Sequence, residues 1–321
     1  MKDAIEVKNL TKYYNDLLAL DHVTFKVKQG SVFGLLGPNG AGKTTTIRIL
    51  TGLTRPSKGT ATIMGFDITR EAVKAKQMIG VVPESSNVYE EMTALQNLIF
   101  ASQLYGVPRS ERRTRARELL EVFNLQDRAN SRVEEFSRGM KRRLTIACAL
   151  VHHPQILFLD EPTAGLDAQS ARQLRAYIGK LKELGVTVLL TTHYIEEADQ
   201  LCDTVAMINQ GQIVALDSPE NLKASITGTK IVEVIFSDAI AEKELSEIEG
   251  VLEVQRLGDK YKLVVGGVSD IMGALVDYAR RRNTRIMTLN TLKPSLEDAF
   301  LRITGLIPME EALDMDHRRA N

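Results

Sequence analysis

The stretch Gly37-Pro38-Asn39-Gly40-Ala41-Gly42-Lys43-Thr44 satisfies the pattern G-x-x-x-x-G-K-[ST], and Thr45 opens a helix-forming run behind it. Residue types in this order suit the binding of a polyphosphate. Glycines let the backbone turn so that successive N–H groups face one point, where the following helix adds its partial positive charge. Lys43 would neutralise the β and γ oxygens, and the Thr44 hydroxyl would take one position on a Mg²⁺ ion. The context is the one the motif requires, with the apolar run Val32–Leu36 before it and the segment Thr45–Leu50 after it. A second group of matching chemistry is Ile156-Leu157-Phe158-Leu159-Asp160-Glu161, an apolar strand that ends in two carboxylates. Asp160 is expected to hold Mg²⁺, directly or through water, and Glu161 to orient and deprotonate an attacking water. An ordinary carboxylate is ionised at neutral pH, as a base must be. On these residues alone a GTPase, a RecA-like motor, a small-molecule kinase and a transport ATPase all remain open.

The elements that must position these groups read as follows. Short β-branched or apolar runs (Ile5–Val7, Val23–Val27, Val32–Leu36, Thr60–Met64) are separated by turn pairs and predict strands within residues 1–70. From about Glu84 to Leu150 the spacing becomes helical, which predicts a helical insertion. Ile156–Leu159 and Val186–Leu190 are apolar runs of strand length, and between them Leu174, Tyr177, Ile178, Leu181 and Leu184 share one helix face. That is a β–α–β unit, so the first domain is α/β with a parallel sheet. A polar turn near Ile226–Thr229 marks a shift. Beyond it the order is strand 230–236, helix 241–249, strands 251–257 and 260–265, helix 269–282 and strand 285–290, a small α+β domain of ferredoxin-like order. The expected domains are 1–227, 228–305 and a charged tail, 306–321.

Bulk properties restrict the function classes. A chain of 321 residues has room for two cores. Its 41 basic side chains balance 41 acidic ones, so no net positive field favours nucleic acid, and none is expected as a partner. A charged N-terminal decapeptide and the lack of eighteen consecutive apolar residues lead to the expectation of a cytoplasmic protein. The arginines at 109, 112, 113, 115 and 117 alternate with Glu111, Glu118 and Glu121 and read as a solvated helix face.

One further stretch discriminates among the nucleotide-binding classes. Phe136-Ser137-Arg138-Gly139-Met140 resembles the LSGGQ signature of ABC ATPases. In the same order, Ala164-Gly165-Leu166-Asp167 resembles that family's D-loop, His193 its switch histidine, and Tyr14 the aromatic that stacks on adenine. The resemblance covers residues 4–225 or so and, within the family, is greatest to type-2 exporters of the daunorubicin-resistance group. It implies a P-loop cassette built from a RecA-like core, an antiparallel β subdomain and a helical insertion. It implies ATP and Mg²⁺ as ligands, with residues 37–45 and Tyr14 on the nucleotide and Thr44, Asp160 and Glu84 on the metal. Two positions depart from the family pattern: Glu84 stands where a Gln is usual, and Arg138 replaces the first signature glycine. Arg138 is expected to face solvent or to add charge near the phosphate. Because Ser137, Gly139 and Asp167 serve the ATP of an opposite subunit in the family, the resemblance also implies a homodimer or a paralogous cassette partner. A separate integral-membrane permease would hold the pair at the cytoplasmic face of the membrane. A permease-free soluble ABC ATPase and a slow ATP-binding regulatory module are the alternatives.

Overall fold

The computed structural model describes residues 2–225, 230–265, 268–292 and 295–305. The turn expected at Ile226–Thr229 and the expected tail 306–321 lie outside the described residues. The chain divides into two compact units, Met1–Pro219 and Glu220–Asn321, whereas the sequence reading drew the line at 227/228.

In the first unit β1 (Asp3–Tyr14) and β2 (Leu17–Lys28) form an antiparallel hairpin. Both run well past the apolar stretches Ile5–Val7 and Val23–Val27, because cross-strand pairing continues to Tyr14↔Leu17 through bulged positions. Then follow β3 (Val32–Leu36), α1 (Lys43–Leu50), β4 (Lys58–Ile63), β5 (Phe66–Asp67), α2 (Ala72–Gln77) and β6 (Ile79–Val82). The helical stretch consists of α3 (Ala94–Leu104), α4 (Arg109–Val122) and α5 (Arg138–Ala149). Its first helix begins at Ala94, after the Glu84 expected from spacing, because Thr93 and Gln96 form a reciprocal capping box that fixes the start. The unit closes with β7 (Ile156–Asp160), α6 (Ala168–Glu183), β8 (Thr187–Thr192), α7 (Ile195–Leu201), β9 (Thr204–Asn209) and β10 (Gln212–Asp217).

Two sheets result. One is antiparallel, in the order β2-β1-β4-β5; the other runs β10-β9-β3-β8-β7-β6 and is parallel except for the β9–β10 hairpin. Every residue of β3, β7 and β8 is buried, as expected of strands covered on both faces. Leu174, Tyr177, Ile178 and Leu181 of α6 face the core as their spacing predicts. Leu184 does not: it is the C-cap residue and is 73 % exposed. Phe25 and Phe33 stack with centroids 4.9 Å apart inside the core shared by the two sheets.

The second unit opens with α8 (Pro219–Ser225), whose first residue is the last of the preceding unit. It continues as β11 (Lys230–Phe236), α9 (Glu242–Ser246), β12 (Val251–Leu257), β13 (Lys260–Val265), α10 (Val268–Arg282), β14 (Ile286–Leu292) and α11 (Leu296–Thr304). Its antiparallel sheet has the order β12-β13-β11-β14, the ferredoxin-like arrangement. Val232, Val234, Leu263, Ile271 and Leu275 form its core. Tyr261 anchors it further, donating to the Ile240 carbonyl and accepting from the Ile240 amide, both at 2.7 Å.

Candidate functional site

The C-terminal ends of three adjacent buried strands, β3, β7 and β8, deliver the chemistry. Pairing sets Leu36 beside Thr192 and Asp160 beside Thr191, so the loop after β3 and the acids after β7 emerge side by side. In that loop Gly42 has φ 108°, and a Cβ on it would come within 2.6 Å of Leu20. A Cβ on Gly37 would collide with the Ile208 carbonyl. Only glycine fits either position, for conformational reasons at one and for close approach at the other. No side chain caps α1 at Gly42, which leaves its first turn open to a ligand that accepts hydrogen bonds.

Lys43 is 5 % exposed and donates to the carbonyls of Gly37 (2.6 Å) and Pro38 (3.1 Å). Its ammonium also lies 3.2 Å from Glu161 Oε1, a carboxylate that is itself only 7 % exposed. The other oxygen of that carboxylate, Oε2, is 2.8 Å from His193 Nδ1 and accepts from the His193 amide at 3.3 Å. Lysine, glutamate and histidine thus form a continuous chain. Glu161 holds φ 46°, a left-handed backbone that non-glycine residues adopt at a cost, and its amide donates to the Thr191 hydroxyl at 3.0 Å. Asp160 Oδ1 accepts from Thr191 Oγ1 at 2.5 Å and lies 3.4 Å from Thr44 Oγ1. Hydroxyl and carboxylate oxygens facing one another are the donor set of a hard divalent cation. Among the described residues no group of three or more His, Cys, Asp or Glu side chains is set to hold a metal by itself. Such an ion would therefore share the two protein oxygens with phosphate and water, as Mg²⁺ commonly does.

A cavity of about 400 Å³ joins these groups. Residues 38–40 and 42–45 line it together with Glu161, His193 and Glu84, and so do Tyr14, Leu17, Leu18 and Ala19. Tyr14 is 39 % exposed, and Lys12 Nζ stands 4.9 Å from its ring centroid. Gly37 and Ala41 support the loop from behind, Ala41 through its carbonyl bond from Gly211 at 3.0 Å. Glu84, which the resemblance put on the metal beside Asp160, lines the same cavity as Glu161.

Ser137, Gly139 and Asp167 do not line that cavity. Ser137 is the exposed N-cap of α5, its hydroxyl accepting from the Met140 amide at 3.3 Å. Asp167 caps α6, accepting from the Ser170 amide at 2.9 Å and the Ser170 hydroxyl at 2.8 Å, which holds its carboxyl below the ordinary range. The two helix tips touch: a Cβ on Gly139 would sit 2.6 Å from Ser170 Oγ. The exposed Arg138 lies along the turn at Gly165 of its own chain, 3.8 Å from where a Cβ there would be.

Two buried ionisable side chains behind the site escaped the sequence reading. Arg142, 3 % exposed, runs its guanidinium under Asp160 and Glu161. Burial lowers it to about 10, against the pull of the Asp160, Glu197, Glu84 and Glu161 carboxylates, so it stays protonated at neutral pH. Glu197 on α7 is wholly buried. Burial pushes its carboxyl up, while the Thr192 and Thr163 hydroxyls pull the other way. A carboxyl that holds its proton more tightly in the fold contributes stability that is fully present below its unfolded value and is lost as pH rises through the folded one. Glu197→Gln is therefore expected to leave the Tm nearly unchanged at pH 4.5 and to raise it at pH 8, by about 2–4 °C per kcal/mol recovered. A Tm difference that stays flat between those pH values would contradict this.

Comparison with known proteins agrees with this geometry. Residues 20–164 match the ABC transporter family, and residues 218–304 match the C-terminal domain of DrrA1-3-like ATP-binding proteins. The linearmycin resistance ATP-binding protein LnrL of Bacillus subtilis is 36 % identical over 306 residues, covering 94 % of this chain and 98 % of the relative. The daunorubicin/doxorubicin resistance ATP-binding protein DrrA of Streptomyces peucetius is 39 % identical, covering 94 % and 92 %. The Nod factor export ATP-binding protein I of Paraburkholderia xenovorans is 37 % identical, covering 94 % and 97 %. Among solved structures, an ATP-binding subunit of an ABC transporter aligns with a TM-score of 0.63 at 32 % identity, covering 69 % of this chain and 92 % of that one. A dimeric ATP-binding cassette in a post-hydrolysis state with ADP and phosphate aligns with a TM-score of 0.61 at 29 % identity, covering 67 % and 98 %.

Proposed function

The chain belongs to the ABC transporter ATP-binding proteins, and from that premise we propose that it hydrolyses ATP to drive export through a separate membrane permease, each ATP being closed between two cassettes. The observation that carries this reading is the Lys43–Glu161–His193 chain at the mouth of the phosphate loop. Lys43 ties up one oxygen of Glu161 as long as no phosphate competes for its charge. A triphosphate on the loop offers Lys43 a better partner, and Glu161 Oε1 is then free to accept a hydrogen bond from water and take its proton. His193 keeps Oε2 in place throughout and so fixes the direction from which water is met. Thr44, Asp160 and Glu84 would hold Mg²⁺; when bound, the ion would supply positive charge beside the phosphate oxygens. Tyr14 offers a stacking face for adenine.

Ser137 and Gly139, with Asp167, would serve the nucleotide on a second copy or a paralogous cassette, since the chain has one phosphate loop and one signature. Closure on ATP and reopening after hydrolysis would be the movement passed to the permease, with the cassette held at the cytoplasmic face of the membrane. No helix of the described residues is long and apolar enough to cross a membrane.

One observation favours the slower reading, an ATP-holding regulatory module. Glu84 brings a second carboxylate to the cavity that already holds Glu161, and like charges beside a phosphate oppose turnover. Steady-state phosphate release decides between the two. The transport reading expects a rate well above that of a Lys43→Ala variant, and release no faster than that variant overturns the enzyme. Co-expressed with its genomic neighbours, the chain is expected to sediment with the membrane; recovery entirely in the soluble fraction overturns the permease.

A further inference from the structure

Arg142 presents five N–H groups, and all five are directed at main-chain carbonyls. Nε donates to Pro162 at 2.9 Å, Nη2 to Asp160 at 2.7 Å and to Glu161 at 3.1 Å. Nη1 donates to Pro83 and, at 3.0 Å, to Glu84. The side chain thus binds no carboxylate directly, although four acidic residues surround it. What it binds is the backbone of two separate segments, the strand end that carries Asp160 and Glu161 and the loop that carries Glu84. These segments lie 18–20 and 58–59 residues away in sequence. The two segments leave neighbouring strands whose pairing ends at Val82 and Leu159, so Pro83–Glu84 and residues 160–162 lie just beyond that ladder. The planar guanidinium spans them.

Two neighbouring features bear on that span. Arg142 sits in the second turn of α5, whose N-cap is Ser137. Its neighbour Lys141 pairs with Glu90 at 2.7 Å, so consecutive residues of one helix grip both ends of the segment from Pro83 to Glu90. Glu161, at the other side of the fork, holds a left-handed backbone. A strained conformation persists only where its surroundings over-determine it, and the bond from Arg142 to the Glu161 carbonyl is one of those determinants.

We infer that Arg142 is a positioning residue for hydrolysis, which sets Glu84 and the Asp160–Glu161 pair at a fixed separation and ties both to the helix that starts at Ser137. The inference rests on the ATPase reading above. Lysine cannot replace this residue: it keeps the charge but has three tetrahedrally arranged donors on a flexible stem, and no planar fork. Misplacement of a reacting group by about 1 Å costs on the order of 100-fold in rate, whereas the phosphate loop is untouched by the change.

The test compares R142K and R142Q with the wild-type chain by three readouts: steady-state phosphate release, equilibrium binding of a fluorescent ATP analogue, and hydrogen exchange of residues 83–92 and 161–166 in the nucleotide-free protein. For R142K the expected result is a kcat lower by about 10- to 100-fold, with KM and nucleotide affinity within about twofold of wild type, and faster exchange confined to those two segments. R142Q, with two donors on one nitrogen, should lie at or below R142K. A folded R142K with a kcat within twofold of wild type, or with unchanged exchange in both segments, overturns the positioning role, as does a loss of kcat matched by an equal loss of nucleotide affinity. Should R142Q not fold, R142K decides alone, because it leaves no buried carboxylate without a cation. Should the wild-type chain release no phosphate, the ATPase reading falls and the exchange measurement still decides whether Arg142 holds the two segments.

Discussion

Glu161→Gln is expected to lower phosphate release by roughly 10²–10⁴-fold, the range for loss of a positioned general base, with no loss of ATP affinity. The amide is nearly the same size and can still accept from the His193 amide, so the geometry about Thr191 and His193 survives. It cannot take a proton from water. It also carries no charge to hold the ammonium that sits 3.2 Å away in the wild-type chain. Lys43 then meets the phosphate without having to leave an ionic partner, so affinity should be equal to or above that of the wild type. A rate within tenfold of wild type would place the base elsewhere; a Kd weakened more than tenfold would mean that Glu161 contributes to binding and not to the water.

Lys43→Ala should have two effects that differ in origin. Hydrogen bonds to charged groups contribute about 1.5–3 kcal/mol each, so ATP affinity should fall by about 10- to 100-fold, with hydrolysis below detection. The second effect is on stability. Lys43 and Glu161 are 5 % and 7 % exposed, and removal of one member of a buried pair leaves an uncompensated charge, at a cost of about 3–5 kcal/mol. At about 2–4 °C per kcal/mol for a unit of this size, the nucleotide-free Tm should drop by roughly 6–20 °C. The double variant Lys43→Ala/Glu161→Gln should regain much of that loss while remaining inactive. Differential scanning of the three variants without nucleotide checks this; equal Tm values for the single and double variants would mean that the pair is not coupled.

The phosphate loop and the strand bearing Asp160 and Glu161 were legible in the sequence because both are local: a glycine pattern between a strand and a helix, and an apolar run ending in acids. The ferredoxin-like order of the second unit was legible for the same reason, since alternation of strand and helix survives errors at the ends. Arg142 was not. An arginine followed by Arg143 on a helix reads as a solvated charge, and its burial follows from carbonyls brought from positions up to 59 residues away. Glu197 had the same fate, for Glu196-Glu197 at the start of α7 looks like an ordinary acidic first turn, and only the packing of α7 shows that the second of the pair is buried. The long β1–β2 hairpin was under-read because its ends are half-exposed and mixed in character, although main-chain pairing holds them to Tyr14. That end carries Tyr14, Leu17 and Leu18 to the cavity, so the missed stretch is part of the site.

Closure of nucleotide between two cassettes is tested most directly by light scattering on the purified Glu161→Gln variant, with and without saturating Mg-ATP. Without nucleotide the expected mass is that of one chain; with it, twice that mass, returning to one chain when the Mg²⁺ is chelated. A Glu161→Gln protein that binds ATP at full stoichiometry and still scatters as a single chain would contradict the two-sided site.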